Sequence, residues 1–416
     1  KDILKKTITF VNPEDKSVNV YASPNSLKNV DLKNVQQTFI IQSNFDITFG
    51  KHNVSGVAGM SQEWYEARMF EASRTNLSTE FEPTLNLGDP STMSNNATYS
   101  SWALRSGFGR VSYNYDERYL LEANIRYDLS SRFHKSVRGG WFPSVSAGWR
   151  ISEEQFMSFA KPIVDNLKIR GSWGMLGNQY VGSSDYPYMS VLEAFTSGLS
   201  LIGTSASTGY APSALANPNL TWEHIKMVNA GVDVALLQNR LTMSFDWFNK
   251  DTEGILLKLN YPAQIGPKPS EQNAGKVNNR GWEFDLNWRD QRGEFYYGIG
   301  FNISDVKNKI VDLAGNAPDL SGYQIRMVGY PIDAFYGYKA IGLMTPEDFK
   351  ISDTQNHNYS LPKVPVILGN DYQPGDIKYE DISGPDGKPD GRITPEYDKV
   401  VLGSNIPRYT YTVRGD

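Results

Sequence analysis

Acidic residues recur between residues 381 and 398, in the stretch DISGPDGKPDGRITPEYD, at a spacing that calcium-binding loops use. With Asp386 as the first position of such a loop, Asp390 is fifth and Gly391 is sixth. Arg392 is then seventh, where it would contribute its carbonyl oxygen. Calcium prefers several oxygen ligands arranged around a sharp turn that glycine permits. The spacing therefore makes a structural calcium site in this loop one hypothesis.

The remaining positions of the loop fit calcium less well. Lys388 is third and Tyr397 is twelfth, where carboxylate ligands are expected. Glu396 and Asp398 flank the twelfth position and would have to substitute for it. The alternative is an acidic turn, held by hydrogen bonds from backbone N–H groups to aspartate side chains. Both readings stay open on the sequence alone.

Tyrosines with amide-bearing neighbours are concentrated in segments that show no regular alternation. A tyrosine ring can stack against the C–H face of a sugar, while side-chain amides and carboxylates bind its hydroxyl groups. The alternative is that these rings pack the loops against one another. The candidates for substrate binding are Tyr186, Tyr188, Tyr210, Tyr261, Tyr323, Tyr330, Tyr336 and Tyr338.

Enzymatic signatures are absent from the sequence. The four histidines are scattered, and no H-E-x-x-H, G-x-S-x-G or Gly-Lys-Ser/Thr motif occurs. The chain has no cysteine, which excludes disulfides and thiolate chemistry. Its 41 basic and 46 acidic residues give a net charge of -5 without a basic block, so nucleic acid is not an expected partner. We expect no enzyme activity and no cofactor apart from the calcium hypothesis.

The elements that position these residues follow a two-residue period. In LTMSFDWFN, residues 241–249, the odd positions through Trp247 are apolar and the even positions through Asp246 are polar. Successive side chains of a strand point to opposite faces, so this pattern predicts a strand with one apolar face. Similar patterns occur at 119–129, 143–151, 167–175, 228–236, 281–289 and 295–303. The sequence therefore predicts an all-β protein.

The connections between these strands alternate between short and long. The predicted long connections are 64–104, 132–141, 178–221, 251–274 and 306–404, and a medium link at 152–166 takes the place of a short one. In an up-and-down antiparallel arrangement, all short turns then lie at one end and all long loops at the other. This layout is typical of transmembrane β-barrels of the outer membrane, which have long extracellular loops. A soluble β-sandwich or propeller, which also alternates, is the alternative.

Several stretches resemble the SusC-like family (SusC/RagA) of TonB-dependent outer-membrane transporters of Bacteroidota. They are FGRVSYNYDERYLLEANIRYDLSSRF (108–133), WFPSVSAGWRISEEQFM (141–157), LKIRGSWGMLGNQ (167–179), NPNLTWEHIKMVNAGVDVALLQNRLTMSFDWFNKDTEGIL (217–256), NAGKVNNRGWEFDLNW (273–288) and GDIKYEDISGPDGKPDGRITPEYDKVVLGSNIPRYTY (375–411). The resemblance implies a location in the outer membrane of a Gram-negative bacterium. It also implies part of a 22-stranded barrel, in contact with lipid and closed by an N-terminal plug through which TonB acts. A SusD-like surface lipoprotein is the implied partner, and oligosaccharides or oligopeptides are the implied cargo.

Residues 1–416 are therefore expected to be one β-barrel segment, with roughly a dozen strands from the middle and later barrel. On this expectation, the plug domain, the first strands and the last strands are absent from the segment. The predicted function is TonB-dependent import across the outer membrane. The alternative is a soluble or surface-exposed, β-rich glycan-binding protein without transport.

Overall fold

The computed structural model describes residues 2–6, 8–11, 18–21, 24–180, 182, 185–190, 192–195, 201–202, 205–206, 209–212, 216–258, 270–367 and 369–416. In these residues, twelve antiparallel strands form the main sheet, and each pairs with its neighbours in chain order. The strands are β1 (Asp2–Lys5), β2 (Ser26–Phe49), β3 (His52–Thr75), β4 (Ser94–Tyr115), β5 (Tyr119–Ser130), β6 (Gly139–Arg150), β7 (Val164–Asn178), β8 (Glu223–Leu236), β9 (Leu241–Lys258), β10 (Glu271–Arg292), β11 (Phe295–Asp312) and β12 (Tyr409–Gly415). This order confirms the predicted all-β, up-and-down architecture.

The register of the main sheet brings the apolar positions of neighbouring strands side by side. Phe245 of β9 lies opposite Val232 of β8 and Phe284 of β10. Phe284 lies in turn opposite Ile303 of β11. A slip of one residue would turn every side chain of a strand to the other face, so the alternating pattern and the register specify each other. The same face continues across the earlier strands through Ile41, Met60, Val111, Ile125, Val145 and Ile169.

This apolar band is exposed. Phe245 and Trp247 are each 43% exposed, Ile299 is 56% exposed and Met60 is 63% exposed. In a β-sandwich the corresponding face packs against a second sheet and is shielded from solvent. The sandwich alternative is therefore wrong for the described part of the chain. A broad exposed apolar band is what contact with lipid requires.

The short connections lie together at one end of the sheet. They are 50–51, 116–118, 237–240 and 293–294, and the medium link 151–163 lies at the same end with the 3₁₀ helices Ile151–Glu153 and Gln155–Ala160. Asp116 and Glu117 have φ values of 53° and 54°, and Gly293 has a φ of 63°. Positive φ in a tight hairpin connection matches the right-handed twist of the strands that it joins. We call this the short-turn end, and the opposite end the long-loop end.

The predicted boundaries of three long loops were wrong. The connection predicted as 64–104 is only 76–93, that predicted as 251–274 is 259–270, and that predicted as 306–404 is 313–408. The loop predicted as 178–221 spans 179–222 in the structure. The strands continue toward the long-loop end after their apolar alternation has stopped. Ladder hydrogen bonds need no apolar face, so a strand that meets water on both sides loses the sequence pattern but keeps its pairing.

The long connections carry small antiparallel sheets of their own. A four-stranded sheet consists of Asp319–Ser321, Gln324–Arg326, Ala334–Tyr338 and Lys399–Gly403. Two-stranded sheets pair Ile8–Val11 with Val18–Tyr21, Leu192–Phe195 with Gly209–Pro212, Leu201–Ile202 with Ser205–Ala206, Ala340–Leu343 with Ile377–Tyr379, and Phe349–Asp353 with Asn358–Pro362. Further 3₁₀ helices are Leu85–Leu87, Pro90–Thr92 and Pro346–Asp348. Over the residues described, we find no helix with the length and apolarity needed to span a bilayer.

Candidate functional site: the polar face and the long loops

The face of the main sheet opposite to the apolar band is polar. Asp246 of β9 lies opposite Gly231 of β8 and Glu283 of β10. One step along the same face, Ser244 lies opposite Asp233. In a closed barrel with a lipid-facing exterior, such positions line a water-filled interior. The polar face is therefore the candidate lumenal surface.

Arg170 of β7 connects three strands across this face. Its Nη1 and Nη2 donate to the two carboxylate oxygens of Asp246 at 2.5 and 2.6 Å, and its Nε donates to Asp233 Oδ2 at 3.0 Å. The guanidinium crosses β8 at Gly231, where an added Cβ would lie 2.8 Å from Arg170 Cζ. The planar fork of arginine can hold two carboxylates at once. The cluster therefore links β7, β8 and β9 through their side chains as well as through the ladder.

A groove of about 460 Å³ lies beside Arg170 on the polar face. Glu122, Lys168 and Asn229 are among the residues that line it. Glu122 accepts a hydrogen bond from Ser112 Oγ at 2.8 Å. Charges of both signs together with amides can form hydrogen bonds with the hydroxyl or peptide groups of a polar solute. The inside of the sheet is therefore suited to solutes rich in such groups.

Four buried apolar residues form a core that joins the long loops to the sheet. Phe133, Phe142, Leu220 and Trp222 are between 0% and 7% exposed. The ring centroids of Phe133 and Phe142 each lie 5.2 Å from that of Trp222. Trp222 Nε1 donates to the carbonyl oxygen of Arg138 at 3.0 Å. Sequence reasoning missed this core, because its members show no periodic spacing. The signal in the sequence was the pair of bulky apolar residues Leu220 and Trp222 inside the polar stretch NPNLTWEH.

Asp185 holds the segment that contains Tyr186 and Tyr188 against the long-loop end of the sheet. Its Oδ1 lies 3.0 Å from Arg132 Nη1, and its Oδ2 accepts the backbone N–H of Ser101 at 3.1 Å. The hydroxyl of Tyr186 lies 3.3 Å from Ser101 Oγ, and the ring of Tyr188 packs edge-on against that of Tyr186 at 6.2 Å. Both predicted tyrosines are only partly exposed. Their contacts favour the packing role that the sequence left open.

Three of the predicted tyrosines are exposed to solvent, and two of them strongly so. Tyr210 is 71% exposed and Tyr323 is 72% exposed. Tyr330 is 42% exposed. Tyr261 lies outside the described residues. The exposed rings are free to contact a ligand from outside.

Tyr336 and Tyr338 lie on one strand of the four-stranded loop sheet and are partly buried. The backbone N–H of Tyr336 donates to the carbonyl oxygen of Tyr323 at 2.8 Å. The Tyr338 ring lies 5.3 Å from that of Tyr379, and Lys399 Nζ lies 5.4 Å from its centroid. Burial raises the pKa of the Tyr338 hydroxyl. The seven predicted tyrosines that the structure describes are thus divided between the connections 179–222 and 313–408, and Tyr338 is packed into its loop.

Asp398 is fully buried at the base of the loop predicted to bind calcium, with 0% exposure. Its Oδ1 accepts the backbone N–H groups of Ile382 and Ser383 at 2.8 and 3.2 Å, and its Oδ2 accepts that of Thr394 at 2.7 Å. Burial raises the pKa of this carboxyl, but the three N–H donors outweigh burial and hold the pKa below its ordinary value of 3.8. Asp398 is therefore the ionised centre of a hydrogen-bonded loop.

The other four predicted ligands lie on the exposed rim of that loop. Asp386, Asp390, Arg392 and Glu396 are exposed, and Asp390 Oδ1 accepts the backbone N–H of Arg392 at 3.0 Å. Nowhere in the described ranges do three acidic or histidine side chains come together in a way that could hold a metal ion. The contacts observed are those of the acidic turn. Calcium binding stays a prediction of the spacing.

These features match a known family. A sequence model described as "TonB dependent receptor-like, beta-barrel" matches residues 5–411. TonB-dependent receptor P3 of Formosa agariphila is 30% identical over 385 residues, which cover 89% of this chain and 36% of that receptor. TonB-dependent receptor SusC of Bacteroides thetaiotaomicron is 32% identical over 257 residues, which cover 57% of this chain and 25% of SusC. The chain thus spans about a third of the length of the Formosa relative.

The fold has a close counterpart among solved structures. The RagAB peptide transporter superposes with a TM-score of 0.75 and 19% identity, covering 97% of this chain and 41% of the transporter chain. Fold, exposed apolar band and loop asymmetry together define a segment of a transmembrane β-barrel of the outer membrane. The chain belongs to the TonB-dependent receptor β-barrel family and resembles its SusC-like members. The long-loop end is accordingly extracellular and the short-turn end periplasmic.

Proposed function

We propose that this chain forms part of the wall and the recognition loops of a TonB-dependent importer of oligosaccharides or oligopeptides. The observation that carries the proposal is the two-sided sheet, apolar outside and polar inside, with Arg170 and Asp246 on the inner face. Such a sheet separates hydrocarbon from water while it offers hydrogen bonds to a polar solute. The likeness to receptors named as TonB-dependent, and to a structure titled as a peptide transporter, supports it.

In this proposal, a SusD-like lipoprotein covers the extracellular loops. Substrate enters between the loops and the lipoprotein, settles above a plug supplied by another part of the protein, and passes inward when TonB pulls on that plug. No covalent step is required of the chain. Its role is to bind, to guide and to exclude lipid.

Tyr210 and Tyr323 are the two tyrosines best placed for first contact, because both rings are more than two-thirds exposed. Their faces can stack on a sugar ring or on a side chain of a peptide, at roughly 1 kcal/mol per stacked pair. Tyr186 and Tyr188 shape the rim instead, since their contacts fix them to the sheet.

The proposal is tested by uptake of labelled ligands into cells that carry the full-length protein and its lipoprotein. Replacing Tyr210 and Tyr323 together by alanine should raise the ligand concentration that gives half-maximal uptake by about fivefold to thirtyfold. We expect this increase for one ligand class, either oligosaccharide or oligopeptide. Tyr411→Ala is the matched control, because that ring is 70% exposed but lies on the lipid-facing side of β12. Mass spectrometry of co-purified ligand identifies the class independently.

Three outcomes would refute the proposal. Uptake that persists in cells without TonB would show that transport does not depend on TonB. An equal change of the half-saturation concentration in the loop variant and in Tyr411→Ala would show that the loop tyrosines do not recognise the ligand. Partition of the full-length protein into the aqueous phase without detergent, with a gel mobility that boiling leaves unchanged, would favour the glycan-binding alternative.

A further inference from the structure

The outward face changes character abruptly at the extracellular edge of the apolar band. Trp247 lies directly opposite Trp282, and Trp282 lies opposite Asp305. Two residues further toward the extracellular end of the same face, Arg280 lies opposite Lys307. Side chains two apart on a strand share a face, so these cations point outward as the indoles do. Indole rings favour the level of the lipid headgroups, and the cations therefore lie at or just above that level.

A groove of about 690 Å³ surrounds these cations. Part of its wall is formed by Val328 and Ile406 of the last long loop. Five of its lining side chains are cationic and one is acidic, namely Lys276, Arg280, Lys307, Lys309, Arg408 and Asp251. This local excess of positive charge occurs in a chain whose net charge is -5. The positive charge of the groove is therefore a local feature that the overall composition does not explain.

Two of the five cations are neutralised within the chain. Arg408 Nε lies 2.8 Å from Asp305 Oδ1, and Lys276 Nζ lies 2.8 Å from Glu253 Oε1. Asp305 is 7% exposed, and the groove-lining side chain of Arg408 is held against it. These pairs hold the groove in shape and leave its other cations available.

The remaining three cations have no such partner. Across the described ranges, Arg280, Lys307 and Lys309 have no carboxylate within ion-pair distance, and all three are exposed. Arg280 and Lys307 are direct cross-strand neighbours. Like charges directly opposite each other in a sheet are destabilising. The repulsion is relieved when an anion binds between them from outside.

We propose that this groove binds the phosphate groups of the glycolipids in the outer leaflet of the outer membrane. The guanidinium fork and the two ammonium groups bind phosphate oxygens through charge-assisted hydrogen bonds. Basic clusters at the headgroup level are attracted to anionic lipid. Arg280, Lys307 and Lys309 point outward, so an anion held between them lies on the lipid side of the sheet. The glycolipid phosphate acts as the missing counter-ion and anchors the loop end of β10 and β11 in the membrane.

The test uses the full-length protein in micelles and measures retention of lipid A by native mass spectrometry. The variant combines Arg280→Gln, Lys307→Gln and Lys309→Gln. The matched control combines Lys135→Gln, Lys350→Gln and Lys388→Gln, which remove the same charge from exposed positions of the extracellular loops. We expect the groove variant to retain phosphorylated lipid A at least about tenfold less than the wild type, and the control to retain it normally. Dephosphorylated lipid A should bind all three proteins at the level of the groove variant.

Thermal stability is a second measurement, and the direction in which it changes without and with glycolipid distinguishes an anion-binding groove from a purely structural one. Without glycolipid, the groove variant should be at least as stable as the wild type, because the like-charge pair has been removed. With phosphorylated lipid A, the wild type should gain stability and the variant should not. Equal retention by variant and wild type, or an equal gain from inorganic phosphate alone, overturns the assignment to glycolipid. Loss of the lipoprotein partner from the variant with lipid retention unchanged assigns the groove to that partner and overturns it as well.

Discussion

Removing the indole of Trp222 tests whether the long loops are joined to the barrel by a packed core. The side chain is 3% exposed, and its ring lies 5.2 Å from those of Phe133 and Phe142. Truncating a buried tryptophan to alanine costs about 3–5 kcal/mol. Within that, each aromatic pair contributes roughly 0.5–1.5 kcal/mol, and the hydrogen bond to Arg138 contributes about 1 kcal/mol. We expect Trp222→Ala to lower the free energy of opening this region by about 4 kcal/mol.

Hydrogen exchange followed by mass spectrometry on the full-length protein measures that free energy locally. Peptides that cover 131–138 and 217–223 should exchange faster by roughly a thousandfold in Trp222→Ala, since about 1.4 kcal/mol corresponds to tenfold. Trp222→Phe is the control, because it keeps an aromatic ring and loses the N–H donor. We expect exchange in this variant to be about fivefold faster than in the wild type. Exchange in the alanine variant no faster than in the phenylalanine variant would refute the packed core.

Three further predictions concern charge. Phe245→Arg places a cation on the lipid-facing side and should lower the free energy of unfolding by about 2–4 kcal/mol, whereas Ser244→Arg on the polar face should change it by less than about 1 kcal/mol. Denaturant unfolding in micelles measures both values. Equal losses would contradict the assignment of one face to lipid and the other to water. Arg170→Gln removes the fork that holds Asp246 and should cost about 1–3 kcal/mol in the same assay, with an unchanged midpoint as the contrary result. The pKa of Asp398 is held below 3.8, so its carboxylate stabilises the 381–398 loop above that pH and ceases to do so as the pH falls through the lowered pKa. Hydrogen exchange of this loop should be faster in Asp398→Asn at neutral pH and should converge with the wild type in acid; a difference independent of pH would show that ionisation is not involved.

The architecture could be predicted because the two-residue alternation of apolar and polar residues determines it. The alternation in 241–249 determines which side chains share a face, and the register must then align the apolar positions of neighbouring strands. The ends of the strands could not be predicted in this way. Residues 251–258 continue the pairing with β10 although they no longer alternate, because a bulge at Gly254 shifts the register and Leu256 packs against the buried core of the long loops.

The site was less accessible to sequence reasoning because its contacts join distant parts of the chain. Arg170 and Asp246 are 76 residues apart, and Tyr186 is held by Ser101 from 85 residues away. The sequence identifies tyrosine rings but not which of them are exposed. In the acidic loop, the spacing suggested a ligand role for Asp398, whereas the structure aims backbone N–H groups at it. Backbone donors leave no trace in residue spacing.

The two faces of the sheet touch different solvents, and labels at two adjacent positions test this most directly. The chain has no cysteine, so Phe245→Cys and Ser244→Cys, each carrying a nitroxide spin label in the full-length protein in lipid bilayers, give no background from this segment. Collision rates with oxygen, which concentrates in hydrocarbon, and with a water-soluble nickel chelate report the surroundings of each label. We expect the label at position 245 to meet oxygen and that at position 244 to meet nickel. Two labels shielded from both reagents, or the reverse pattern, would contradict the account.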